Sequence, residues 1–312
     1  MLNTTSNLPA MVREYYERLV LITAHPKQQH TKFAQKKQMP KKNGDTIDFQ
    51  RYNKLATVPI PLIEGVTPPG AQLSSSKIKA QVQQYGNFVM FSDWVELTNE
   101  DAILNRSTTL LGYNQGETID EITRDVLVSC TSVYSCSNGV NLGTPTELTK
   151  LDIDAVVKSL LGNEAEMISS LVTSSTGQGT TPIRPGFMGI IHTDQLDDLE
   201  AVSNFISTAN YGGQGTVIDG EWGATGNVRW VYTSVGSVSS ATPAVYNNII
   251  VGKESHAVVS IAGKTGNFYV EQLGSGGSSD PLHQRGSVGW SHPFTARILN
   301  DSFMGILLST HS

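Results

Sequence analysis

The sequence predicts an α+β fold, and three observations carry that prediction. Patterns of period two come first, a long pattern of helical period follows, and the last hundred residues return to alternating strands. No strand–helix–strand series of the kind that builds a parallel sheet runs through the chain. Prolines at 59, 61, 68 and 69 forbid both a helix and a central strand in that stretch. The 312 residues are 38% hydrophobic, enough for a sizeable core, and the composition excludes disorder throughout, collagen and a disulfide scaffold. Charged residues make up only 16%, against about 25% in ordinary globular chains. That shortfall fits either a loop-rich soluble protein or one whose surface is largely covered by neighbours.

In chain order, a short amphipathic helix is expected at 10–22, with no secretory signal at the start. A basic run over 25–45 follows, holding Lys27, Lys32, Lys36, Lys37, Lys41 and Lys42 with no acid before Asp45. Residues 1–60 carry a net charge of +6 and residues 61–312 a net −12. A run so polar is expected to be an extended or mobile arm without a core role. It would be a solvated tail, dock on acidic surfaces of other copies, or face nucleic acid. With Phe33 as its one aromatic it makes no recognised nucleic-acid module. Ile47 and Phe49, then Ile78, Ala80 and Val82, alternate as two strands joined by a long Pro/Gly tip. Such a protruding ribbon is marginal alone and needs something to lie on. Its tip carries Val58, Ile60, Leu62, Ile63 and Val66, a sticky cluster if left in water.

The longest helical signal spans 97–130, opened by Thr98 and Asp101 and striped by Ile119, Ile122, Val126, Cys130 and Val133. Gly112 and Gly116 predict a kink or break within it. A second helix should run from a Thr149 cap to a left-handed stop at Gly162, and a third should follow the strand Phe187–Ile191 with Thr193 as cap. Strands are expected at 228–232, 256–263, 267–274 and 287–310, the last split into a hairpin at Asn300-Asp301.

A search for chemistry returns no catalytic, cofactor-binding or metal-binding set. GKTG at 263–266 lacks the glycine a phosphate loop needs at 258 and precedes a strand. Gly212, Gly213 and Gly215 follow no strand, so a dinucleotide fingerprint fails. The seven histidines never pair with Glu at helical spacing, and no G-x-S-x-G occurs. Asp197 and Asp198 read as solvated charge. Cys130 and Cys136 read as small buried residues in a reducing compartment. No window approaches 18 apolar residues, so no membrane span is expected.

Two stretches are familiar in combination: QYGNFVMFSDWVELTNED at 84–101 and DPLHQRGSVGWSHPFTARILND at 280–301. With Glu64-Gly65 in the ribbon and GEWGATGNVRWVYTS at 220–234, they run in the order seen in tailed-bacteriophage major capsid proteins. The chain resembles the podophage-type family with the Hong Kong 97-like fold, over about residues 40–305. That resemblance implies a basic N-terminal arm at 1–45, an E-loop ribbon at 46–92 and a spine helix with the start of the P-domain at 93–140. A mixed P- and A-domain at 141–255 and C-terminal P-domain strands at 256–312 would follow. It implies a structural protein without catalysis or cofactor, made in the host bacterial cytoplasm and residing in the virion. Pentamers and hexamers would build an icosahedral head around double-stranded DNA, with arm and ribbon overlapping neighbours. Partners implied are other copies, a portal, packaged DNA through non-specific inner-face contact, and a decoration protein. The first 40 residues are too few for a helical scaffolding segment, which points to a separate scaffold protein. The alternatives are an uncharacterised α+β hydrolase and a non-viral nanocompartment shell of the same fold.

Overall fold

The computed structural model describes residues 28–57, 61, 64–65, 67, 70–98, 103–138, 143–173, 179–211, 217–263, 266–273, 282 and 284–311. The helix expected at 10–22, Lys27, and Val58, Ile60, Leu62, Ile63 and Val66 of the ribbon tip lie outside these residues.

The first of three sheets is built around β14 (Arg285–Ile298). Along one edge lie β12 (His256–Ile261) and β13 (Asn267–Glu271), end to end. Along the other lies β4 (Gln83–Ser92), so that Phe294 pairs with both Ser260 and Gln83. Pro293, with no N–H to give, stands opposite the gap between β12 and β13. β1 (Gln35–Met39) adds to β12 in parallel and completes five strands. The second sheet has eight strands. Its path is β5 (Val133–Ser135), β15 (Met304–Thr310), β11 (Val245–Val251), β7 (Gly179–His192), β10 (Val228–Thr233), β9 (Glu221–Thr225) and β8 (Phe205–Ser207), with β6 (Ile168–Thr173) paired to β7. β2 (Thr46–Tyr52) and β3 (Ser75–Gln81) pair only with each other, as the alternation predicted.

Four α-helices are described: α1 (Asp93–Thr98), α2 (Ile103–Val128), α3 (Lys150–Gly162) and α4 (Leu196–Ala201). α2 packs along β14, burying Leu111 against Phe268, Val288 and Trp290, and Ile119 against Val258, Phe294 and Ala296. It runs unbroken through Gly112 and Gly116, contrary to the expected kink. Both glycines are buried, and this packing outweighs a propensity cost of about 1 kcal/mol each. α3 lies on the second sheet, where Ile153, Val156 and Leu160 join Phe187, Trp230, Ile250 and Leu307 in the largest core.

Several other expectations need correction. The basic run is no solvent arm over 28–39. Phe33, just before β1, is buried with Leu127, Met188 and Ile249, and Met39, at the end of β1, is buried with Val259 beneath Ala80 and Val82 of the ribbon root. Asn300-Asp301 makes no hairpin, since β14 and β15 belong to different sheets and a 3-10 turn at Asp301–Phe303 carries the chain between them. The left-handed residue after α3 is Glu164 (φ 59°), two past Gly162. The side chain at the turn into α4 that accepts a backbone N–H is that of His192, from Asp194, where Thr193 was expected. Cys130 and Val133 fall beyond the end of α2. Asp198 is buried and hydrogen-bonded to His311 at 2.8 Å, unlike the solvated charge expected of it.

Candidate assembly surfaces

The described basic residues of the run differ in their surroundings. Lys32 donates to the carbonyl of Asp219 and lies 3.8 Å from its carboxylate. Burial lowers its pKa against the opposing pull of Asp219. Lys36 and Lys37 stand on β1, and Lys41 and Lys42 occupy the exposed turn before β2, with Lys42 at φ 67°. Of the described lysines of the run, Lys32 is thus engaged within its own chain.

What sequence reasoning missed is how the stretch 28–39 rivets the two sheets together. His30 is fully buried. Its ring shares a 2.7 Å hydrogen bond with Asp120 of α2, and its N–H donates to the same carboxylate at 2.8 Å. Its carbonyl meets His256 Nε2 at 3.2 Å. One turn on, Phe33 enters the core of the second sheet. The buried Arg229–Glu221 pair, at 2.5–2.7 Å, braces the adjoining loop, with Tyr211 and the N–H of Ile218 also donating to Glu221.

The five-stranded sheet has an asymmetric outer face. Odd-numbered residues of β4 face α2: Tyr85 and Phe91 pack into its core, and Asn87 donates to Asn114. Even-numbered residues therefore point away from the helix. At the β1–β12 end this outer face is covered by the ribbon root, where Ile47, Phe49, Ala80 and Val82 pack on Met39, Val259 and Ile261. At the β4–β13 end it is open. Phe88 is 65% exposed, Met90 56% and Tyr269 46%. Phe88, Gly289 and Tyr269 form one cross-strand row, and Phe88 leans over the glycine, leaving no room there for a Cβ. The signal was present in the FVMF run at 88–91, apolar on both faces of a strand.

The titratable groups at these surfaces are arranged for structure. Burial drives the pKa of His256 and of His292 down to about 4, so both are neutral near pH 7. Burial likewise pushes the Cys130 thiol up to about 12 and raises that of Cys136, which leaves neither as a thiolate nucleophile. No cluster with metal-ligand composition occurs among the described residues.

A family model described as phage capsid protein matches residues 75–299. No curated protein matches the chain. Among solved structures, the capsid of Ralstonia phage GP4 is similar over 92% of each chain, with a TM-score of 0.69 at 12% identity. The capsid of cyanophage P-SCSP1u covers 91% of this chain and 89% of its own, with a TM-score of 0.63 at 11% identity. The head structure of Helicobacter pylori bacteriophage KHP40 has a TM-score of 0.61 at 10% identity, over 91% and 89%.

Proposed function

Because the chain belongs to the phage capsid protein family and has the fold of those heads, we propose that this structural protein self-assembles as pentamers and hexamers into an icosahedral head around double-stranded DNA. The observation that carries the reading is the half-open outer face of the five-stranded sheet. Phe88, Met90 and Tyr269 continue the surface that the subunit's own ribbon root already covers. An apolar strip left open on every copy calls for a cover. The ribbon tip of an adjacent copy, with Val58, Ile60, Leu62, Ile63 and Val66, has the matching chemistry. Residues 46–92 then act as the E-loop. Lys36, Lys37, Lys41 and Lys42 remain available to acidic surfaces of neighbours, an attraction screened by salt. A separate scaffold protein, a portal, a decoration protein and non-specific DNA contact on the inner face complete the proposed partners.

The test is electron microscopy of the purified protein, paired with the variant Phe88→Ser/Met90→Ser. Wild type should give shells, or pentamers and hexamers. The variant should keep the urea midpoint of the free subunit, since both side chains are exposed already, yet fail to close shells. Hydrogen exchange over 56–76 should be fast in free subunits and slow in shells. Discrete small particles from wild type at every concentration, or equal exchange in both states, would overturn the reading.

A further inference from the structure

The ribbon touches its own subunit at two places of opposite chemistry. At the root, apolar side chains bury against the five-stranded sheet. Farther out, β2 reaches a platform made by the end of α3 and the turn before β15. Arg51 Nη1 donates to Asn300 Oδ1 at 2.8 Å, and Lys54 is paired with the Glu164 carboxylate. The platform is one piece: Asn163 Nδ2 donates to the Ser302 carbonyl at 3.2 Å, and the Ser302 N–H donates to Asn300 Oδ1 at 3.3 Å. Between root and platform lies a cleft of about 880 Å³. Ile47, Phe49 and Ile78 line its ribbon side, and Leu299 and Phe303 its body side. Across the cleft, polar contacts bridge ribbon and platform where apolar walls stay apart.

We propose that Arg51 and Lys54, with Asn300 and Glu164, form a clasp that holds the ribbon against its own subunit and must open before the ribbon can lie on a neighbour. The inference rests on the assembly reading above and adds an autoinhibitory contact to it. Its physical logic is reversibility. Lys54 and Glu164 are both 67% exposed, so their attraction is weak and screened by salt. A dry apolar contact in the cleft would hold the ribbon far more firmly. A clasped subunit counts as assembly-incompetent, and the fraction unclasped scales its apparent affinity for the growing shell.

Two measurements by light scattering test this, on full-length protein. In 50 mM salt, Arg51→Met/Lys54→Met should speed shell assembly about three- to tenfold. Lys54→Glu alone should act in the same direction, and the swap Lys54→Glu/Glu164→Lys should restore the wild-type rate. In the second measurement, Lys54→Cys/Glu164→Cys is bridged by a reducible bis-methanethiosulfonate linker. The native Cys130 and Cys136 are buried, so the linker reaches the exposed pair. The bridged subunit should not assemble until reduced, while Lys54→Cys capped with a single methylthio group, which also lacks the ion pair, should assemble at least as fast as wild type. Bridged protein that assembles at the unbridged rate, or a double Met variant no faster than wild type, would overturn the clasp. Failure of wild type to assemble would instead sink the assembly reading itself.

Discussion

Removing residues 1–40 should unfold the subunit. The deletion takes away Phe33 and Met39, which are 7% and 3% exposed, and burial of each is worth about 1.5–3 kcal/mol. It also removes His30 from Asp120, a carboxylate with no exposed surface in the folded chain. Stripping one partner from such a buried pair costs about 3–5 kcal/mol. Together these losses reach roughly 6–11 kcal/mol, the scale of a whole domain's stability of about 5–15 kcal/mol. The parallel ladder from Gln35 to Met39 goes too, baring an edge of β12. The assay is urea unfolding of the unassembled subunit followed by circular dichroism, with limited proteolysis alongside. A midpoint for the truncated chain equal to that of wild type would refute the rivet described for residues 28–39.

Two more outcomes are expected. His256 and His292 have folded pKa values near 4 against an ordinary 6.5, so the unfolded chain binds more protons between those values and stability must rise with pH there. That stability is fully present above about pH 6.5 and is lost as pH falls toward 4, by on the order of 3 kcal/mol per histidine; urea midpoints across that window should flatten in His292→Gln. Gly189→Ala should cost about 1–3 kcal/mol in the same unfolding assay, because the new Cβ would stand 2.4 Å from Trp230 Cε3 in the core of the second sheet.

The amino-acid order by itself determined what depends on near neighbours along the chain. Ile47 and Phe49 with Ile78 and Ala80 announced the ribbon by period two, and Ile119, Ile122 and Val126 announced the long helix by its stripe. The paired motifs at 84–101 and 280–301 pointed to a capsid fold before any contact was known. Tertiary structure decided what depends on distant partners. Lys32 and His30 look like members of a solvated basic tail until Asp219 and Asp120, 187 and 90 residues away, supply hydrogen-bond partners that hold Lys32 half-buried and His30 buried. Gly112 and Gly116 look like breakers until β14 packs along the helix that holds them. Asn300 looks like half of a hairpin turn until its flanking strands enter different sheets, and its side-chain Oδ1 accepts from Arg51. Local propensity is a matter of about 1 kcal/mol per residue, and burial with a paired charge is worth several times more. Where the two disagreed in this chain, the long-range contact prevailed.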